Sequence, residues 1–165
     1  MVFIPRDPVM QNQFLSHDSS TSATAAAGSV VYLSGDNKVA VVSGTNTNPY
    51  GFLMQNVKAE SSAHPTGFRL PGDLGSSDAF TGDPVAVAHL GLYETTHYNT
   101  ATTYSAGGRL GVLNDGSGRL TPIGVSALAF ADNNTTDSDV VAIAQNTLSS
   151  AAVAAGQKLR VKLLI

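Results

Sequence analysis

The sequence predicts a mainly β fold, a small β-sandwich or β-barrel with glycine-rich hairpins and an extended N-terminal arm. Three stretches carry that expectation. From Gly107 to Ile123, two short β-capable runs flank Asn114-Asp115-Gly116-Ser117-Gly118, residues that accept positive φ at little cost and let a chain reverse tightly. An upstream stretch has the same grammar: Gly28-Ser29-Val30-Val31-Tyr32-Leu33 meets Ser34-Gly35-Asp36-Asn37 and returns through Lys38 to Val42. Gly28 corresponds to Gly108 and Leu33 to Leu113; a duplicated unit and two independent hairpins both fit this correspondence. The third stretch is the C-terminus, where Leu159, Val161, Leu163 and Ile165 alternate with Lys158, Arg160 and Lys162. This period of two predicts a strand with one face in the core and the other toward water or an acidic partner.

In chain order, residues 1–27 begin with the apolar anchors Phe3, Ile4, Met10, Phe14 and Leu15, then become rich in Ser, Thr and Ala. Pro5 and Pro8 oppose a regular strand or helix interior, so an extended arm is expected, with a frayed terminus as the alternative. Residues 28–165 make the β-rich domain. After the first hairpin, Gly44 to Pro49 has loop chemistry, and Tyr50 to Val57 reads as a strand. Ala59 to Ser77, with Pro65, Gly67, Pro71, Gly72 and Gly75, reads as a long irregular excursion. Val85 to Glu94 is expected to be one central strand, since Val85, Val87 and His89 share one face and Ala86, Ala88 and Leu90 the other, with neither face clearly polar. Thr95 to Ser105 reads as a loop or edge strand. Strands are expected on both sides of the polar turn Asp132 to Asp139, and a short helix or strand over Gln145 to Ala155. The total comes to five to nine strands, in a topology that no local pattern fixes.

Composition narrows the function. A chain of 165 residues suits one domain, able to bury roughly 70% of its unfolded surface. It has no cysteine, which removes disulfides, thiolate metal sites and cysteine nucleophiles. Charged residues make up only 13%, against about 25% in an average soluble domain, so a surface partly covered by partners is expected. A formal charge of -3, with Lys and Arg scattered except at 158–162, gives no field to attract phosphates, and nucleic acid is not an expected partner. The apolar-leaning tract at Ala151 to Ala155 falls far short of the roughly 20 residues that a spanning helix needs, so no membrane partner is expected. Pro5, Asp7 and Pro8 break the pattern of a signal peptide, and synthesis in the cytoplasm is expected.

No catalytic, cofactor-binding or metal-binding residue is assigned. Gly124-Val125-Ser126-Ala127-Leu128 lacks the closing glycine of a nucleophile elbow, and neither a P-loop nor a dinucleotide fingerprint occurs. His89, Tyr93, Glu94 and His97 hold ligand-type atoms without a tight ligand spacing; packed or solvated histidines are the simpler expectation. Asp132 to Asp139 lacks the glycine of a calcium loop and places Ile143 where the bidentate Glu belongs. Asp73, Asp78 and Asp83 have no evident apolar enclosure that would raise a carboxyl pKa.

Ala26-Ala27-Gly28-Ser29-Val30-Val31-Tyr32-Leu33 with Asp36 and Val39, the run Gly82-Asp83-Pro84-Val85, and the ending Ala155-Gly156-Gln157-Lys158-Leu159-Arg160-Val161-Lys162-Leu163 together resemble the head decoration, or capsid cement, proteins of tailed bacteriophages. The resemblance implies an enzymatically inactive virion protein on the outer capsid surface. It would bind the major capsid protein, staple neighbouring capsomers and work as a homotrimer, with Phe3, Ile4, Met10, Phe14 and Leu15 as the capsid-binding arm. The trimer interface is expected on the apolar faces of Val30 to Leu33, Val85 to Leu92 and Leu110 to Leu113, with the monomer's own core as the equal alternative for those faces. The alternative is a β-rich tail or fibre module that recognises a host-surface glycan, with Tyr93, His97, Tyr98 and Tyr104 stacking on sugars.

Overall fold

Short apolar runs between glycine turns become thirteen strands and one helical turn among the residues that the computed structural model describes, 3–5, 11–43, 48–59, 78–125 and 140–165. Five strands close a barrel: β2 (Gln11–His17), β3 (Val30–Gly35), β4 (Lys38–Val41), β5 (Gly51–Leu53) and β8 (Pro84–Leu90) run in the order β2-β4-β3-β5-β8. Closure depends on β2, which pairs antiparallel with β8 and parallel with β4. Alternation turns one face of each wall strand inward, so Leu15, Val31, Val39, Leu53, Val85 and Val87 fill the barrel. Val57 and Ala79 join this cluster from a small parallel pair, β6 (Asn56–Lys58) and β7 (Asp78–Phe80). Each fully buried Val or Leu contributes about 1.5–3 kcal/mol, which gives the barrel its own core.

The opposite faces of β3, β5 and β8 carry Val30, Phe52 and Ala88, which are also fully buried. They pack on a six-stranded antiparallel sheet made of β1 (Phe3–Pro5), β9 (Leu92–Thr95), β13 (Leu159–Leu163), β12 (Ala142–Ala144), β10 (Arg109–Val112) and β11 (Leu120–Pro122), in that spatial order. Tyr93, Leu110, Val112, Leu120, Val161 and Leu163 line the second core from the sheet side. The helical turn α1 (Ser150–Ala154) starts where the Ser149 hydroxyl accepts the Ala152 N–H, and it buries Val153 in the same core.

Barrel and sheet are joined where the β10–β11 turn meets the open end of the β3–β4 hairpin. Gly118, just before β11, has φ +67° and its carbonyl accepts the Val30 N–H at 2.9 Å. A Cβ on Gly118 would lie 2.8 Å from Val41 Cγ1 and 2.9 Å from Val30 O, so only glycine lets the strands approach this closely.

The structure changes several expectations. The run Val85 to Glu94 is two strands, because Gly91, with φ +127°, redirects the chain from the barrel to the sheet. Its two-sided burial is as expected. Tyr50 to Val57 likewise divides at Met54 and Gln55 into β5 and β6. Division of these two runs, together with β1 and β2 in the expected arm, accounts for a strand count above nine. In the N-terminal 27 residues, β1 pairs with β9 and β2 forms a barrel wall, so the described parts of this stretch lie within the β domain. Val30, Val31, Val85, Val87, Leu110 and Val112, expected at a trimer interface, are buried within one chain. Uncovered strand edges give little reason for association either. The barrel has no edges, β1 ends in Pro5, and the outer side of β11 is occupied by Asn99, whose N–H donates to Leu120 O at 2.7 Å. Met10, the polar turn Asp132 to Asp139 and residues 60–77 lie outside the described residues.

Candidate contact surface

The alternation that identified the last strand also sets the chemistry of the outer sheet face. Leu159, Val161 and Leu163 enter the core, which leaves Lys158, Arg160, Lys162 and Leu164 pointing away from it. Register then aligns a row across the sheet: Leu92 lies opposite Lys162, Lys162 opposite Ile143, and Ile143 opposite Arg109. Exposed Ile123 extends the row, its N–H donating to Arg109 O. Cations thus alternate with aliphatic side chains over distant segments of the chain.

One acid belongs to this face. Glu94 is only 4% exposed and accepts from Arg160 Nε at 2.9 Å, with Lys158 Nζ at 3.9 Å. A buried carboxylate is costly without compensation, and here Arg160 of β13 and Lys158 just before it supply it. Two shallow depressions mark the surface. One, about 360 Å³, is walled by Leu92, Gln145 and Arg160; the other, about 350 Å³, by Arg109, Val140, Ile143 and Leu164.

Most of the buried polar groups are engaged in scaffolding; His17 Nε2 and His89 Nε2 are the buried side-chain atoms among the described residues with no hydrogen-bond partner. His97 Nε2 lies 3.0 Å from both Ser29 Oγ and Ser117 O. A carbonyl only accepts, so Nε2 must carry the proton to bond it, and that nitrogen then has no free pair with which to deprotonate Ser29. The Ser29–His97 pair clasps the barrel to the β10–β11 turn, and its polarity does not suit an activated nucleophile. Burial holds the pKa of His97 below its usual value, and that of His17 as well, whose Nδ1 meets Thr81 Oγ1 at 3.2 Å. A hydroxyl-rich hollow of about 470 Å³ adjoins His97, but Thr21, Ser22, Ser29, Asn56 and Ser117 on its wall all bond within the protein.

His89 Nδ1 donates to Tyr50 O at 2.8 Å, far from the bonding of His97, and no three His, Asp or Glu side chains converge among the described residues. The proposed sugar platform is not a surface. Tyr93, Tyr98, Tyr104 and His97 are each 3% exposed or less, and the Tyr104 hydroxyl donates to Asn99 O and Leu120 O. Their aromatic rings supply core volume, which the Thr/Asn-rich sequence around them concealed.

The arm residues separate. Phe3 is buried against Tyr93 and Phe52, and Leu15 lies inside the barrel. Ile4 sits opposite Glu94 in register, and Phe14 points outward at 72% exposure. Sequence reasoning found the cations of β13 but missed Arg109, Ile143 and Leu92, which only strand register brings beside them. A scan against protein-family models gives no match, and neither does a search of curated proteins.

Proposed function

We propose that this protein is a virion structural protein that binds the outer surface of an assembled tailed-phage capsid and cements neighbouring capsomers by contact. The observation that carries the reading is the division of side chains between inside and outside. Each described imidazole makes an internal hydrogen bond through one ring nitrogen and the Ser29 and Tyr104 hydroxyls bond internally, while the sheet presents a broad face of cations and aliphatic side chains. The resemblance of residues 26–39, 82–85 and 155–163 to head decoration proteins points the same way. A face of this kind serves adhesion, where many modest contacts act together, better than it serves turnover of a small substrate.

The cyclic trimer belongs to the same proposal. Its contacts would use surfaces other than the apolar strand faces, since those are occupied by the two cores. Three copies around a threefold position would act with avidity roughly 10² to 10⁴ above that of one copy. Co-sedimentation of purified protein with empty capsids tests the function, and its density on the particle tests the symmetry. Capsids that pellet without the protein, with host cells retaining it instead, would overturn the reading in favour of a host-binding module.

A further inference from the structure

We propose that His17 makes the parallel seam between β2 and β4 a pH-sensitive latch, closed while the imidazole is neutral and opened locally by its protonation. The device goes beyond the contact-protein reading and does not depend on it. Position is the first argument. His17 lies two residues beyond Leu15 on β2, so alternation turns both side chains into the barrel, whose lining is otherwise Val31, Val39, Leu53, Val85 and Val87. The imidazole is buried, 1% exposed. Its Nδ1 lies 3.2 Å from Thr81 Oγ1, and Nε2 has no hydrogen-bond partner among the described residues. A neutral ring protonated at Nδ1 donates to Thr81 and leaves only an unused lone pair at Nε2. A proton added there makes a charged donor with nothing to accept it in an apolar interior, and the way to solvate it is to admit water.

The second argument is the weakness of the seam. β2 joins β8 through six residue pairs but joins β4 through two, Ser16 with Lys38 and His17 with Val39. The backbone bonds that cross it, from Ser16 N–H to Asn37 O and from Asp18 N–H to Val39 O, are both 2.9 Å and bracket His17. This end of β2 can therefore part from β4 and stay on β8, at the cost of few bonds. The charged groups around the ring do not hold a proton inside. Asp18, next in the chain, favours the imidazolium, but its carboxylate accepts from the Ser20 and Ser34 hydroxyls. Lys38 on β4 and Asp36 in the turn before it are exposed. In the β7–β8 turn, the Asp83 carbonyl accepts the His17 N–H and its carboxylate accepts the Phe80 N–H, while Lys58 of β6 and Asp78 of β7 pair with each other. Burial outweighs Asp18 and holds the pKa of His17 below its usual value, so the closed barrel resists the proton that an open seam takes up.

Amide hydrogen exchange on the full chain tests the latch. After correction for intrinsic rates, opening at the Ser16 and Asp18 amides should rise by up to about tenfold between about pH 7.5 and about pH 5.5, because the imidazole of the open form titrates near 6.5. At the lower pH these amides should exchange faster than those of Leu163 and Val141, which bond to Gly91 O and Leu110 O in the sheet. They should also respond little to low urea, as local opening does, whereas the sheet amides follow global unfolding. His17→Phe and His17→Gln, one apolar and one with a hydrogen-bonding group, should each flatten the pH response at the seam, and His97→Gln should leave it. Seam amides that exchange at the sheet rate with the same urea dependence, a pH response below about twofold, or a response that survives both His17 substitutions would each overturn the proposal. The wild-type measurement stands by itself if neither variant folds: a His17 imidazole that titrates near 6.5 while the seam amides stay protected would overturn the latch.

Discussion

Phe3 stacks on Tyr93 with ring centroids 4.5 Å apart and planes within 8°. Phe52 of the barrel also stacks on Phe3, with centroids 5.8 Å apart and planes within 7°, so a residue at the start of the chain sits between barrel and sheet. Phe3→Ala should therefore cost about 3–5 kcal/mol, the range for emptying a buried phenylalanine site. Deletion of residues 1–20 should be worse, because it removes β1 and the barrel wall β2 together and reopens the barrel. Urea unfolding followed by circular dichroism checks both. A truncated protein with wild-type stability would show that β1 and β2 are dispensable, and would restore the free-arm expectation.

The junction at Gly118 separates two effects of glycine. Gly118→Ala adds positive-φ strain to a close approach against Val41 and Val30 O, and should cost about 2 kcal/mol or more. Gly116→Ala shares the positive φ, but its Cβ would meet nothing nearer than Ser43 Cβ at 3.8 Å. Strain alone should cost about 1 kcal/mol there. Similar losses at both sites, measured in the same denaturant series, would mean that the barrel and the hairpin are not tightly apposed.

Acid sensitivity should come in two steps. Burial lowers the pKa of His17 and His97 from 6.5 in the folded state, so the unfolded chain takes up protons first as pH falls. The stability these neutral imidazoles contribute is complete above pH 6.5 and declines from there toward their lower folded pKa values. Carboxylates act lower. Bonds from the Ser20 and Ser34 hydroxyls hold Asp18 at about 2, against an ordinary 3.8, so its contribution is lost between those values. Midpoints measured from pH 8 to pH 3 should fall first below pH 6.5, and His97→Gln should flatten that first limb. A flat profile from pH 7 to pH 5 in the wild type would contradict the assignment.

What the sequence made legible was local. Leu159 to Ile165 and the turns at Asn37 and Gly116 declare themselves through period and turn chemistry, and they lie where expected. Long-range pairing was not legible. The parallel pairing of Ser16 with Lys38 closes the barrel, yet nothing in either segment encodes it. Phe3 looked like an anchor in search of a partner, and its partner is Tyr93, ninety residues away in the same chain. The contact surface was half legible for the same reason: β13 announces its own cations, but Arg109 and Ile143 join them only through register across β10 and β12.

Glu94 should set fold stability against adhesion. Its side chain is 6% exposed beneath that of Arg160, which is 64% exposed, so solvent screens the pair and their direct coupling should be modest, about 1 kcal/mol. Arg160→Ala leaves the buried carboxylate with Lys158 at 3.9 Å as a weaker substitute, and should destabilise the fold by about 1–3 kcal/mol. In Glu94→Gln the amide keeps the shape and removes the charge. That substitution should cost less than Arg160→Ala, and the double variant should be more stable than the sum of the two losses implies, since no buried charge remains to be compensated. On the outside the change has the opposite sign. Loss of the only acid in the described sheet strands frees Arg160 and raises the positive charge of the face, so Glu94→Gln should strengthen retention on immobilised polyglutamate while it lowers the melting temperature. Weakened polyglutamate retention in a folded Glu94→Gln protein would mean that Glu94 orients Arg160, and that its charge does not oppose anion binding at this face.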